Sequence, residues 1–139
     1  MEVSPYLFFQ DQCEAAFRFY ERALGGKIEM MMRNGEAPAD MPSAPERKNL
    51  IMHARISFDG EVLLGSDAPP DRYNKPQGYS VCLTFEDPAD AERKFKALSD
   101  GGNVSMPFSK TFFAQGFGMC QDKFGISWMI HCPMDNPHH

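Results

Sequence analysis

Apolar and polar positions follow the same succession of patterns in both halves of the chain. The patterns predict strands at 4–10, 27–33, 50–58 and 61–66 in the first half, and at 79–86, 103–108, 112–121 and 125–132 in the second. The helical spacing of apolar residues predicts one helix over 12–24 and another over 88–100. Each half therefore has the predicted order β-α-β-β-β.

The two halves also repeat particular residues at one constant spacing. Phe9, Glu14, Ala15, Gly25, Gly26, Ile28 and Met30 recur as Phe85, Asp90, Ala91, Gly101, Gly102, Val104 and Met106. We interpret this as a duplication within a single domain, 1–139, with module 1 at 1–67, module 2 at 77–134 and a proline-rich linker at 68–76. Because duplicated modules usually build a shared surface, we expect a functional cleft between the halves.

Capping and turn residues mark the ends of the predicted elements. Asp11 is the expected N-cap of the first helix and Asp87 that of the second. A Gly-Gly pair follows each helix and suits a left-handed C-cap. The Asp-Gly pair at 59–60 predicts a hairpin turn, and the stretch 34–48, with three prolines, is predicted to be a loop whose length is typical of lids and binding loops.

Alternation within the strands separates a face packed against the helices from an open face. Tyr6 and Phe8 point away from Leu7 and Phe9, which we expect to pack beneath the first helix. Strand 50–58 has an apolar set facing the helices and a second set facing water or a cavity. The first set is Leu50, Met52, Ala54, Ile56 and Phe58, and the second is Ile51, His53, Arg55 and Ser57.

Charge and composition exclude several classes of partner. The net charge of −5 argues against nucleic acid and anionic membranes, because both need a basic patch. The sequence has no apolar run of the roughly 20 residues that span a bilayer and no signal-peptide pattern, so we expect a cytoplasmic protein. The four cysteines lack C-x-x-C spacing and are expected to be free thiols, of which Cys13, near a helix start, could have a lowered pKa.

Several local motifs resemble the PhnB-like branch of the vicinal oxygen chelate superfamily, which includes glyoxalase I, bleomycin-resistance proteins and extradiol dioxygenases. The matching segments are Ser4-Pro5-Tyr6-Leu7, Gly35-Glu36-Ala37-Pro38, Ser66-Asp67-Ala68, Gln115-Gly116-Phe117-Gly118 and the run from Asp122 to Ile130. The resemblance implies an α+β fold in which two tandem βαβββ modules form a curved mixed sheet around a cleft. It also implies a homodimer.

In this superfamily a divalent metal is commonly held by His, Gln or Glu side chains from the first and last strands of each module. The corresponding positions here fall near Ser4-Pro5, Ser80, Leu64-Gly65 and Met129, which are poor ligands for such a metal. We therefore expect no cofactor. The possibility that other residues, such as His53 with Glu61 and Asp67, hold a divalent metal stays open.

Two groups of residues are candidates for a ligand site. Aromatic side chains are expected to line the cleft, and polar side chains to fix one end of a ligand through a guanidinium fork, an imidazole or an amide. The aromatic group is Tyr6, Phe8, Phe117 and Trp128, and the polar group is His53, Arg55, Ser57, Asp67 and Gln115.

Two functional hypotheses follow. The first is a protein that binds a small organic molecule, as bleomycin-resistance proteins do. The alternative is a metal-dependent lyase, isomerase or dioxygenase of the glyoxalase type. PhnB-like sequences are often labelled 3-demethylubiquinone-9 3-methyltransferase, but this chain has no Gly-rich strand-to-helix turn of the nucleotide-binding kind. We therefore expect no S-adenosylmethionine binding, and whether any reaction is catalysed stays open.

Overall fold

The computed structural model describes residues 1–38 and 44–134, and within them the two halves have the same order of elements. The first half contains β1 (Tyr6–Phe9), α1 (Cys13–Leu24), β2 (Lys27–Arg33), β3 (Ile51–Phe58) and β4 (Glu61–Asp67). The second contains β5 (Val81–Thr84), α2 (Pro88–Ser99), β6 (Asn103–Ser109), β7 (Ala114–Gln121) and β8 (Ser127–Pro133). The predicted β-α-β-β-β order is confirmed in both halves. The predicted loop 34–48 contains two short 3-10 turns, Asn34–Glu36 and Pro45–Arg47, and part of it, 39–43, lies outside the described residues.

Hydrogen bonding groups the strands into one mixed four-stranded sheet per half. The orders are β1-β4-β3-β2 and β5-β8-β7-β6, and in each sheet the first strand pairs in parallel with the last. The α+β class and the repeated module are therefore confirmed. The chain divides into two units, Met1–Asn74 and Lys75–His139, each with its own core. Neither helix in the described part of the chain has the length and apolar character that a membrane crossing requires.

In the first unit, α1 covers one face of the sheet. Leu7 and Phe9 are buried as predicted, and Phe17 of α1 meets Phe9 edge-on with ring centroids 6.2 Å apart. Gly65 in β4 makes room for this helix, since a Cβ there would lie 2.8 Å from the Phe17 ring. The opposite face of the sheet stays open at Phe8, whose side chain is half exposed.

The start of α1 differs from the prediction. Asp11 is not the N-cap: it has a left-handed backbone with φ 66°, and Gln12 occupies the cap position without a side-chain cap bond to any described residue. Asp67, at the end of β4, supplies the acceptor instead, because its Oδ1 lies 2.8 Å from the Cys13 backbone nitrogen. A strand-end carboxylate thus satisfies one of the unpaired donors of the first helical turn.

The second unit follows the same plan with different details. Asp87 caps α2 as predicted, accepting from the Ala89 N–H at 3.2 Å. The buried carboxylate of Asp122 accepts from the Trp128 indole N–H at 2.9 Å and from the backbone N–H groups of Phe124 and Ile126. These bonds fix the turn between β7 and β8, in which Gly125 has a φ of 92°.

Candidate functional site

A cleft of about 890 Å³ opens in the first unit. It is bordered by the open end of the sheet, by the two 3-10 turns and by the segment that follows β4. The residues that define its chemistry are Phe8, Met52, Ser66, Asp67, Arg47 and Arg72, and Asn34, Asn74, Pro69 and three alanines complete the border. Four of these twelve residues lie in strands, and the other eight lie in segments without regular alternation.

An aromatic cluster lies on the sheet face opposite α1. The rings of Tyr6 and Phe8 have centroids 4.9 Å apart, and Tyr6 stacks on His53 at 5.7 Å. The Tyr6 hydroxyl lies 3.1 Å from Nδ1 of His53, within hydrogen-bond distance. Three predicted site residues are therefore brought together, and Phe8 extends this apolar surface to the cleft.

Met52 forms an apolar part of the cleft border, although the alternation along its strand predicts that it faces the helices. It was expected to pack beneath α1, yet it borders the cleft, while its neighbour Ile51 is fully buried. The reason is a register irregularity in the β2–β3 ladder, where Met32 pairs with His53 but Arg33 pairs with Ile51. The extra residue, Met52, breaks the period of two at this point.

Asp67 was predicted to bind ligand, and it does border the cleft, but its two oxygens are already engaged. Oδ1 accepts from the Cys13 N–H and Oδ2 accepts from the Ile51 N–H at 2.9 Å. Burial raises the pKa of this carboxyl, although the two N–H donors favour the charged form. Burial, together with the charge of Asp67, also raises the pKa of the Cys13 thiol, so the lowered pKa expected there is wrong.

The cations at the cleft are not those predicted. Arg55 pairs with Glu29 at 2.9 Å, with both side chains about 42% exposed, and neither Arg55 nor Ser57 borders the cleft. The arginines that border the cleft are instead Arg47 and Arg72. They lie in segments that carry no periodic pattern, so sequence reasoning missed them. The length of the 34–48 loop was the available signal for Arg47, whereas nothing in the linker pointed to Arg72.

The remaining predicted residues belong to the second unit. Gln115 donates from Nε2 to the Pro133 carbonyl at 2.8 Å. Phe117 is partly exposed and contacts His131, with ring centroids 6.1 Å apart. Trp128 is fully buried and bonded to Asp122, which corrects its predicted role, because a side chain without exposed surface cannot contact a ligand.

The donors present do not fit the divalent metal that the superfamily implies. Leu64 and Met129, at the last-strand positions, pair with Tyr6 and Cys82, so Cys82 is the single strong metal donor among these four paired residues. Across residues 1–38 and 44–134, no group of three or more His, Cys, Asp or Glu side chains could hold a metal ion. The described side chains therefore offer no coordination set on which a metal-dependent step could be built.

Comparison of the fold with known structures places the chain in a class. A glyoxylase/bleomycin resistance protein/dioxygenase domain from Frankia sp. EAN1pec superposes with a TM-score of 0.67 at 14% identity, covering 100% of this chain and 96% of that one. A PhnB protein from Bacillus cereus gives a TM-score of 0.77 at 22% identity over 95% and 99% of the two chains. The fold is therefore that of glyoxalase/bleomycin-resistance proteins.

More similar proteins narrow the class to a family. A model of the family described as 3-demethylubiquinone-9 3-methyltransferase matches residues 1–131. Protein YjdN of Escherichia coli (strain K12) is 31% identical over 145 residues, covering 99% of both chains. Protein PA1353 from Pseudomonas aeruginosa is 40% identical with a TM-score of 0.89 over 96% and 98% of the two chains. The chain belongs to the family described as 3-demethylubiquinone-9 3-methyltransferase, and it has the fold of the PhnB and glyoxalase/bleomycin-resistance structures.

Proposed function

We propose that this protein binds a small organic molecule in the cleft of the first unit. The observation that carries the proposal is the half-exposed ring of Phe8 at the border of an 890 Å³ cleft. Ligand pockets of this size typically combine apolar walls with a few polar groups that fix orientation. Here Phe8 and Met52 supply the apolar contact, and Ser66 and two arginines supply the polar groups.

The proposal is binding rather than methyl transfer, although the family carries a methyltransferase name. Nucleotide-containing cofactors are commonly bound at a glycine-rich turn between a strand and a helix. The turns that lead into α1 and α2, at 10–12 and 85–87, contain no glycine. We expect S-adenosylmethionine to leave the melting temperature of the protein unchanged.

The alternative, a metal-dependent enzyme of the glyoxalase type, finds no support in the donor set described above. Elemental analysis of tag-free protein purified without chelator tests it, alongside the His53→Ala variant. We expect less than one metal ion per ten chains in both proteins. One metal per chain that disappears in the variant would restore the enzyme hypothesis.

A pair of tryptophan variants tests whether the cleft binds ligand. Ala44 borders the cleft and is exposed, so Ala44→Trp is expected to fill the cleft without disturbing the core. Ala89→Trp, at an exposed position of α2, is the matched control. In a ligand-observed NMR screen of aromatic fragments, we expect hits with the parent protein and the control that Ala44→Trp weakens at least tenfold. Hits that bind Ala44→Trp equally well would contradict the proposal.

A further inference from the structure

We infer that the molecule bound in this cleft carries an anionic group, a carboxylate or a phosphoryl group, which the guanidinium groups of Arg47 and Arg72 recognise. This inference deepens the proposed binding function and rests on it. Guanidinium forks bind carboxylate and phosphoryl oxygens through paired charge-assisted hydrogen bonds.

Arg72 is the arginine at the cleft whose guanidinium has hydrogen-bond donors available for a ligand. Its backbone N–H donates to the Pro69 carbonyl at 2.9 Å, closing a turn that holds this residue at the cleft. Its guanidinium makes no hydrogen bond or ion pair with any residue in the described ranges, whereas Arg33 and Arg55 in the same unit each pair with a glutamate at 2.9 Å. A ligand oxygen would therefore replace water around Arg72 rather than compete with a protein carboxylate.

Arg47 is the cation that is held in place. Its side chain is only 18% exposed and reaches the Asp11 carboxylate at 3.5 Å and the Ala68 carbonyl at 3.3 Å. Both distances are long for hydrogen bonds of a guanidinium, so its five donors are not saturated by these partners. The Asn34 side chain donates to the Arg47 carbonyl at 2.9 Å and so positions the backbone that carries this cation.

The ion pairs at the cleft also leave one arginine available to an anion. Asp67 is the carboxylate among the described border residues, and both of its oxygens already accept backbone hydrogen bonds. Arg47 is partly balanced by Asp11, and Arg72 by nothing that the structure describes. Arg72 is thus an arginine at the cleft whose charge no described carboxylate pairs, on a chain whose net charge is −5, and an anionic group on the ligand would supply the countercharge.

The neutral groups at the cleft suit the same ligand. The Ser66 hydroxyl and the Asn74 amide border the cleft, and neither side chain forms a hydrogen bond with a described residue. Both can donate to an anionic oxygen. Phe8 and Met52 offer apolar contact to the body of the molecule. The expected ligand is therefore an aromatic or aliphatic body that ends in an anionic group.

Three probes, each a phenyl ring that carries one polar group, test the inference by NMR titration of the intact protein: phenylacetate, phenylphosphonate and the neutral phenylacetamide. We expect the two anions to bind the parent protein at least about tenfold more tightly than the amide. One charge-assisted hydrogen bond accounts for a difference in affinity of this size. Arg72→Gln should reduce the affinity for both anions about tenfold and leave the amide unchanged. Arg47→Lys, which keeps the charge but loses the fork, should weaken the anions by a smaller factor.

Arg22→Gln is the matched control, because Arg22 is an exposed arginine of α1 in the same unit and the charge change is identical. It should leave all three affinities unchanged. Equal binding of amide and anions, or an anion preference that neither Arg72→Gln nor Arg47→Lys alters, would overturn the inference while the binding function stands. Failure of all three probes to shift resonances of the cleft would overturn both.

Discussion

At the scale of single residues, Asp67 links the cleft to the framework of the first unit. Its carboxylate holds the start of α1 through Cys13 and the start of β3 through Ile51. Both N–H groups are buried, so each would be left unpaired without this side chain. The residue predicted as a ligand contact is thus also a cap supplied from another element, which sequence spacing alone does not reveal.

Replacing Asp67 by alanine is expected to destabilise the protein strongly. Two buried backbone donors lose their acceptor, at about 1–3 kcal/mol each, so Asp67→Ala should lower the free energy of unfolding by about 3 kcal/mol. Urea denaturation followed by circular dichroism measures the change. Asp71→Ala, at an exposed position a few residues on, should change it by less than about 0.5 kcal/mol. Equal effects of the two substitutions would contradict this role of Asp67.

The raised pKa of Asp67 predicts how its contribution depends on pH. The ordinary value is 3.8, and burial raises the folded-state value above it. The folded state therefore binds this proton more tightly than the unfolded chain does, and the resulting stabilisation is present in acid and lost as the pH rises from 3.8 through the folded pKa. The difference in unfolding free energy between the parent protein and Asp67→Ala should fall over this window. A difference that rises with pH there would contradict the sign.

The contribution of Glu14 to stability depends on pH with the opposite sign. For this reason the parent protein is compared with Asp67→Ala rather than measured alone. The Arg33 guanidinium lowers the pKa of the Glu14 carboxyl with help from Arg18, although burial opposes the shift. This group stabilises the folded state above its ordinary pKa, and its contribution is lost as the pH falls through the lowered one. The side chains of Glu14 and Arg33 are 37% and 33% exposed, so solvent screens the pair and its contribution is under about 1 kcal/mol. It is present in both proteins and cancels in the comparison.

At the scale of elements, β6 and β7 show how glycine positions shape the second sheet. Gly116 and Gly118 flank Phe117 in β7, and paired glycines within a strand are typical of a bulge or of a close approach by a ligand or another backbone. The β7–β8 ladder is irregular between Ala114 and Gly116. The ring of Phe108 fills the space over Gly116, whereas the ring of Phe95 and the Cα and Cβ of Phe108 lie over Gly118. The close approach is therefore made by the chain's own β6 and α2.

A double-mutant cycle tests this packing. A Cβ at Gly116 would overlap the Phe108 ring, so Gly116→Ala should lower the free energy of unfolding by about 1–3 kcal/mol through overpacking. In a Phe108→Ala background the same substitution should cost at least about 1 kcal/mol less, since the ring is gone. Chemical denaturation of the four proteins measures the coupling. Purely additive effects would show that Phe108 does not occupy this space.

The elements differ in how far the sequence predicts them. Periodicity placed both helices and all eight strands within a few residues, and it assigned Tyr6 and Phe8 to the open face, because a regular backbone ties side-chain direction to position. It failed at Met52, where the ladder irregularity shifts the period. It carried no information on Arg47 and Arg72, because the positions of loop residues depend on tertiary contacts that have no local signature.

At the scale of the whole molecule, the resemblance to the superfamily implies a homodimer, and we propose that assembly for this chain. Light scattering coupled to size-exclusion chromatography at micromolar concentration should give twice the 15.7 kDa of one chain. The mass should not change between low and moderate salt if apolar surface drives association. A mass of one chain at these concentrations would contradict the proposal.

The central claim is that the first unit contains a ligand site formed by its open sheet face and the segments beside it. The most direct measurement is a chemical-shift map of the amide resonances of the ¹⁵N-labelled protein during titration with phenylphosphonate. We predict saturable shifts concentrated at Phe8, Met52, Ser66 and Arg72. Saturable shifts confined to other residues, or none up to millimolar concentration, would contradict the account.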